Sequence, residues 1–258
     1  MRRLIPLLAL VALASACGKS AKPESSGPAT TAQTTTAGAP GPAPPPATML
    51  SRIYLLRDGK VAPVARIVPE TSAVAFTALE QLFDGPTARD RAQGLRSAIP
   101  RRASPAAVTI SDGVARLDLP DLTHAALAQV VYTLTQFPSV RRVRSTRSIG
   151  DAGALTRSDF EDVTPAILVE APLPGEPVTS RLVVRGTANT FEATFVVELR
   201  DAAGAKLAHR VVTATSGSGE RGTFSTTLRF SGVPAVLAAW EPSAENGKPL
   251  HEVLIPVS

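Results

Sequence analysis

The apolar positions of the chain alternate between strand spacing and helix spacing in its first half. Residues 52–68 hold two apolar runs on either side of Asp58-Gly59, which predicts a hairpin of two strands. Apolar side chains then recur at helical spacing over residues 74–83, with Ser72 as the expected cap. Gly85-Pro86 predicts the end of this helix, because proline cannot continue it.

The same succession is repeated further along the chain. Residues 89–102 are basic and irregular, residues 108–119 predict a second hairpin, and residues 122–137 have helical spacing. Strand spacing returns over residues 140–147. Hairpin, helix, hairpin, helix and strand together predict an α+β domain over residues 50–150, in which both helices cover one face of a mixed sheet.

Helical spacing disappears after residue 165, and short apolar segments separated by turn residues replace it. Seven of them are strand candidates: residues 167–169, 182–184, 191–199, 211–214, 224–230, 236–240 and 253–257. Seven strands in about 95 residues predict an all-β immunoglobulin-like sandwich over residues 165–258. Trp240 and the phenylalanines are expected to form its core, since the region has no cysteine. The small, polar residues 151–164 are interpreted as a linker between independently folding domains.

The first 17 residues have the pattern of an export signal. Arg2-Arg3 precede the apolar residues 4–13, a run about half as long as a membrane span requires. Small residues then lead to Cys17, the only cysteine in the chain. This ending, LASAC, resembles bacterial lipoprotein signals, which implies that Cys17 carries lipid such as palmitate. The alternative is ordinary signal cleavage beside an incidental cysteine. We expect an extracytoplasmic protein that is lipid-anchored to the cell membrane.

The segment between this cysteine and the folded domains has a biased composition. Residues 18–49 are rich in proline, alanine, threonine, serine and glycine and nearly lack large apolar side chains. Such a segment cannot bury enough apolar surface to offset the entropy lost on ordering. We therefore interpret it as a disordered tether.

Charge is distributed unevenly between the two predicted domains. Residues 51–150 contain 14 Lys and Arg against 8 Asp and Glu, a net charge of +6. Residues 151–258 contain 9 against 13, a net charge of −4. The last predicted strand of the first domain carries Arg141, Arg142, Arg144 and Arg147. Because strand side chains alternate, Arg142 and Arg144 share one face, and Arg141 and Arg147 share the other.

Two interpretations of this arginine strand remain open. The charges can protect an exposed sheet edge from pairing with another chain. They can also form a docking face for an anionic surface, such as phospholipid headgroups, a wall polymer or an acidic protein. Nucleic acid is not an expected partner of an exported protein. A weaker candidate for a subunit contact is the neutral polar flank of the second helix, formed by Gln129, Tyr132, Thr133 and Gln136.

The residues that could support catalysis do not form a recognisable constellation. They are His124, His209 and His251, Ser218 between two glycines, and the acidic residues Asp159, Glu161 and Asp162. The histidines lie far apart and match no metal-ligand spacing, and the serine lies in a predicted hairpin turn rather than between a strand and a helix. A solvated linker accounts for the acidic residues. We therefore predict no catalytic, cofactor-binding or metal-binding residues.

Several stretches of the first domain resemble the bacterial sporulation and germination domain called GerMN. They are residues 64–66, LEQLFDGPT at 79–87, GLRSAIP at 94–100, VTISDGVARLDL at 108–119, and AQVVYTLTQFPSVRRV at 128–143. The second domain resembles the immunoglobulin-like domain that accompanies GerMN in germination-related lipoproteins. Its matching stretches are residues 167–172, 184–188, 191–193, 222–224 and 241–247.

The resemblance implies the fold predicted above, supplies no catalytic residue, and points to envelope assembly in which subunits pack into rings or bridge two membranes. The resulting expectation is a membrane-anchored lipoprotein that acts by protein–protein or envelope binding. Its expected partners are the membrane, through the lipid on Cys17, and an envelope protein or a second copy of the chain. The alternative is an envelope lipoprotein that binds a small ligand or glycan through loops of the sandwich, and an envelope enzyme is the least favoured class.

Overall fold

A long antiparallel hairpin opens the folded part of the computed structural model, which describes residues 47–101, 103–105, 107–119, 121–146 and 153–258. Strand β1 (Thr48–Arg57) pairs along its whole length with β2 (Lys60–Pro69). The predicted turn lies between them, and Asp58 and Gly59 both have positive φ angles, 50° and 77°. Because β1 begins at Thr48, the predicted tether to residue 49 is two residues too long. Cys17, the rest of the tether and Arg147 lie outside the described residues.

Three α-helices follow in the first domain: α1 (Val74–Asp84), α2 (Ala88–Ala92) and α3 (His124–Leu134). Ser72 is not the cap of α1, which begins after Ala73 without a side-chain cap. Helix α2 lies within the stretch predicted to be irregular. Thr87 and Asp90 stabilise its start as a capping box, in which each side chain accepts a hydrogen bond from the other residue's backbone N–H.

The remaining strands of the first domain form a small mixed sheet. Strand β3 (Val108–Ser111) pairs antiparallel with β4 (Val114–Leu117), and β4 pairs in parallel with β5 (Arg142–Ser145). Strands β1 and β2 form a separate two-stranded sheet. Helices α1 and α3 pack against β1 and against each other, and α3 also packs against β5. The domain is therefore α+β as predicted, with its strands divided between two sheets.

Seven strands form the second domain, as predicted. They are β6 (Ile167–Ala171), β7 (Arg181–Ala188), β8 (Thr194–Arg200), β9 (Lys206–Thr213), β10 (Gly222–Arg229), β11 (Val236–Pro242) and β12 (Pro249–Pro256). One sheet has the order β10-β7-β6 and the other has the order β12-β11-β8-β9. Their inner faces bury a continuous apolar cluster, which makes the domain a β-sandwich.

The centre of this sandwich contains phenylalanine but not tryptophan. Phe195 and Phe224 meet edge to face, with ring centroids 4.8 Å apart. Trp240 is only half-buried, and the Arg200 guanidinium lies 5.2 Å from its ring centroid, so its predicted core role is wrong. Gly186 allows β6 and β7 to approach closely, because a Cβ there would lie 2.0 Å from the carbonyl oxygen of Leu168.

The described part of the predicted linker contributes side chains to the core, although Ser158, Asp159 and Asp162 are exposed. A 3₁₀ helix spans Arg157–Val163, and within it Phe160 is 1 % exposed. Phe160 belongs to the apolar core of the first domain, which also contains Leu168 from β6 of the second domain. One core cluster therefore includes residues from both domains and from the segment between them.

We expect Phe160→Ala to lower the free energy of unfolding by about 3–5 kcal/mol, because it leaves a cavity in this core. Phe191→Ala is the matched control, since Phe191 is 65 % exposed. Its effect should stay within about 0.5 kcal/mol. Urea unfolding of the two variants measures both values, and equal effects would contradict the packed arrangement of the linker.

Candidate functional site

The arginine strand presents two of its predicted site residues to solvent. In β5 the side chain of Val143 is buried, while Arg142 and Arg144 on either side of it are exposed. Arg116 of β4 is the register partner of Arg144 and therefore lies on the same face of the sheet. We call Arg116, Arg142 and Arg144 the basic face. No hydrogen bond or ion pair joins the side chains of Arg142 and Arg144 to any residue that the structure describes.

Arg141 has a different environment from the basic face. Its guanidinium lies over the β3–β4 turn, donates a hydrogen bond to the carbonyl oxygen of Asp112 (3.2 Å), and occupies the space that a Cβ at Gly113 would need. The outer edge of β5 is also partly paired, because Val143 and Leu155 exchange two backbone hydrogen bonds of 2.9 and 2.7 Å. This pairing leaves less open edge for the arginines to protect.

Three of the four residues of the predicted polar flank of α3 are internal, and the fourth, Gln136, is half-buried beyond the end of the helix and donates to the carbonyl oxygen of Arg52. Gln129, Tyr132 and Thr133 are each 0 % exposed, which corrects their prediction as a subunit contact. The Gln129 amide donates a hydrogen bond to the carbonyl oxygen of Tyr54 (3.0 Å). The backbone N–H of Tyr54 donates a hydrogen bond to Thr133 Oγ1 (3.0 Å). These side chains attach α3 to β1.

A partly buried polar cluster joins the two domains, and no local sequence pattern predicts it. Glu170 of β6 accepts hydrogen bonds from the hydroxyl of Tyr54 and from Nη1 of Arg157, the latter at 2.9 Å. The Arg157 guanidinium also lies 4.6 Å from the ring centroid of Tyr132. We call Tyr54, Tyr132, Arg157 and Glu170 the junction cluster. It contains a residue from the hairpin, one from α3, one from the linker and one from the sandwich.

The charges of the junction cluster stabilise one another. Burial alone would raise the pKa of Glu170, but the charge of Arg157 and the hydrogen bond from Tyr54 hold it below its usual range. Burial, reinforced by the Glu170 carboxylate, raises the pKa of Tyr54, so its hydroxyl stays protonated as a donor. A carboxyl group whose pKa is lowered by folding stabilises the folded state at pH values above its ordinary pKa of about 4.3. This stabilisation is lost as the pH falls through the lower pKa of the folded state.

A second ion pair holds the linker against the sandwich. The carboxylate of Glu161 accepts hydrogen bonds from Arg221 Nε (2.8 Å) and Nη2 (2.9 Å), and from the Asn189 side-chain amide (2.8 Å). Burial opposes ionisation, yet these donors lower the pKa of Glu161. Glu161 is therefore an ion-paired, half-buried residue, whereas Asp159 and Asp162 of the predicted solvated linker are exposed.

The other candidate residues serve local contacts. His124 starts α3 and lies 2.9 Å from the exposed carboxylate of Asp162, while His209 and His251 are exposed in strands. Ser218 Oγ accepts a hydrogen bond from the backbone N–H of Glu192 (2.9 Å). Within the described ranges, no three His, Cys, Asp or Glu side chains are close enough to hold a metal ion. No helix in this part of the chain is long and apolar enough to cross a membrane.

The fold is thus an α+β domain followed by an immunoglobulin-like sandwich. Family models match both parts: sporulation and spore germination over residues 52–144, and the immunoglobulin-like domain of bacterial spore germination over residues 166–248. The chain contains both of these sporulation and germination domains, which confirms the resemblance seen in the sequence. Both matched families are non-enzymatic.

The chain is also similar to a solved structure, the tandem GerMN domains of the sporulation protein GerM from Bacillus subtilis. The sequence identity is 17 % and the TM-score is 0.35. The match covers 70 % of this chain and 61 % of that chain, which is less than two thirds of its length. A search of curated proteins finds no significant match.

We expect Glu170→Gln to lower the free energy of unfolding at neutral pH by about 1.5–3 kcal/mol, because Arg157 loses its charged partner in a partly buried site. The variant should also lose less stability than the parent on acidification below about pH 4.3. Glu252→Gln is the control, since Glu252 pairs with Arg200 on the surface at 3.5 Å. Denaturant unfolding at a series of pH values measures both effects, and parallel pH profiles for parent and Glu170→Gln would contradict this role.

Proposed function

We propose that the protein is an extracytoplasmic, lipid-anchored envelope protein that acts by binding, and that its basic face docks against an acidic protein surface. The observation that carries this proposal is that Arg142 and Arg144 are exposed on one face of β5, with no side-chain partner among the residues that the structure describes. Arginine suits this role because its planar guanidinium can bind a carboxylate through two parallel hydrogen bonds. In this proposal the protein has no catalytic role, in keeping with its two non-enzymatic domain families.

The charge of the chain favours a second copy as the acidic partner. The predicted first domain has a net charge of +6 and the rest of the folded chain a net charge of −4. The basic face of one molecule would then approach the sandwich of the next in a head-to-tail contact. Such a contact is heterologous, so repetition closes a ring or extends a filament. Complementary charges would increase the association rate and the specificity more than the final affinity.

The lipid on Cys17 would keep these molecules on one membrane. A tether over residues 18–49 would let the folded part move up to roughly 100 Å from its anchor when fully extended. Anchoring in a plane raises the local concentration of the copies, which favours weak contacts that are insufficient in solution.

We expect Cys17→Ser to abolish acylation, so that the protein leaves the membrane fraction or accumulates as an unprocessed precursor. The reason is that the several acyl chains of a mature lipoprotein anchor it firmly, whereas the remaining polypeptide has only its surface charge to hold it. Membrane fractionation with immunoblotting tests this. A Cys17→Ser protein that is processed normally and stays in the membrane pellet would exclude the lipid anchor.

We expect the lipid-free chain to self-associate at low salt and to dissociate as salt is added, because salt screens exposed charges. The double variant Arg142→Gln and Arg144→Gln should lose this association. Light scattering between about 50 and 500 mM salt measures it. Arg181→Gln with Arg185→Gln is the matched control, because both residues are exposed on one face of β7. Binding to anionic vesicles is measured in parallel. Loss of vesicle binding alone would favour lipid docking over a protein partner, and no change in either assay would rule out the basic face.

A further inference from the structure

A cleft of about 640 Å³ lies between β2 of the first domain and the strands β6 and β12 of the second. This volume falls within the roughly 300–1,000 Å³ range typical of ligand sites. Its walls are mainly apolar and include Val61, Pro63, Ile167 and Leu254. Leu254 remains 46 % exposed, so the walls keep apolar area in contact with water that a ligand would cover.

The strands that line this cleft are all at sheet edges. Strand β2 is one of only two strands in its sheet, β6 ends the three-stranded sheet, and β12 ends the four-stranded sheet. An edge strand has backbone N–H and C=O groups that its own sheet does not use. Extended peptides bind proteins by pairing with such groups while their alternate side chains enter pockets. The cleft therefore has the backbone and the apolar walls that an extended peptide requires.

Arg57 gives the cleft a hydrogen-bond donor that needs an acceptor. It lines the cleft at the end of β1, and its Nε is buried without a hydrogen-bond partner among the residues that the structure describes. A buried, unsatisfied donor on a charged group is costly, and such groups are rare in folded proteins. The neighbouring cations are already engaged: Arg221 binds Glu161, and Lys60 Nζ donates to the carbonyl oxygen of Asp162 at 2.5 Å.

The carboxylates around the cleft do not satisfy this donor. Three carboxylates line the cleft, and none accepts a hydrogen bond from Arg57 Nε. Asp58 lies in the exposed hairpin turn, Glu161 is held by Arg221, and Glu252 lies 3.5 Å from Arg200. His251 on the same wall has a φ of 54°, a left-handed conformation that a residue with a side chain adopts at a cost and that is often found at binding sites. The carboxylate of a bound ligand would accept the hydrogen bond that Arg57 Nε can donate, and would neutralise the charge of the guanidinium.

We propose that this cleft binds an extended peptide segment of a partner protein, in which one Asp or Glu side chain is flanked by apolar side chains. The carboxylate accepts hydrogen bonds from Arg57, the apolar side chains cover the cleft walls, and the peptide backbone runs along an edge strand. This site shares no residue with the basic face. It therefore stands whether or not the basic face binds a partner.

The test is selection of a random heptapeptide display library on the lipid-free chain, residues 18–258. We expect enrichment of peptides with one acidic residue between apolar residues. Synthetic versions should bind Arg57→Gln about tenfold or more weakly, because they lose a charge-assisted hydrogen bond. They should bind Arg229→Gln, an exposed arginine of β10 outside the cleft, as tightly as the parent.

A second measurement separates binding from folding. Because the Nε of Arg57 has no hydrogen-bond partner among the described residues, Arg57→Leu should unfold at a temperature no lower than the parent does. A marked decrease would show a structural role for Arg57 and overturn the proposal. No enrichment, enriched peptides without an acidic residue, or unchanged binding to Arg57→Leu would overturn it as well. So would binding of decanoate at the cleft with no peptide selected, since the site would then accept a small amphiphile instead.

Discussion

The hydrogen-bonded, largely buried carboxylate of Glu170, whose side chain is 17 % exposed, is the group on which the arrangement of the two domains depends. A carboxylate removed from water is tolerated only when donors surround it, and its two closest donors belong to other parts of the chain. Tyr54 comes from the hairpin, and Arg157 comes from the linker and lies against Tyr132 of α3. One charge therefore ties the sandwich to the hairpin, the linker and the helix. Phe160 and Leu168 add apolar contacts beside it.

Both proposed binding surfaces depend on the contacts that hold the two domains together. The basic face is built on β4 and β5, and Val143 on the inner side of β5 packs into the same core as Phe160 and Leu168. The cleft exists only because the hairpin and the edge strands of the sandwich are held at a defined separation. Sites on rigid elements lose little conformational entropy on binding, so a small number of well-placed groups can be specific. A binding function can depend on such placement alone.

Most of the fold could be predicted from the sequence because its signals come from neighbouring residues. Asp-Gly turns, strand alternation and helical spacing depend on neighbouring residues, and the predicted hairpins, the two long helices and the seven sandwich strands are all present. Helix α2 was missed although its capping signal, Thr87 followed by Asp90, was visible. Trp240 was misplaced because hydrophobicity alone does not reveal that Arg200 covers the ring at the surface.

The functional features were harder to predict because they depend on distant residues. Arg142 and Arg144 could be placed on one face from strand alternation, whereas nothing near Glu170 in the sequence indicates Tyr54, which lies 116 residues away. For the same reason, the sequence predicts a subunit contact for the polar residues of α3 and a solvated environment for Glu161. Their partners are buried backbone groups or side chains from other elements. Likewise, the missing partner of Arg57 can be recognised only once the surrounding walls are known.

The junction cluster also has a consequence for how such a protein can evolve by exchange of modules. The two matched family segments end at residue 144 and begin at residue 166, so the residues between them belong to neither. Arg157, Phe160 and Glu161 lie in this interval, while Tyr54 and Glu170 lie in the flanking segments. A recombination event at the family boundaries would transfer the Glu170 carboxylate without the guanidinium that neutralises it. The junction cluster is preserved only when the two domains and the residues between them are inherited together.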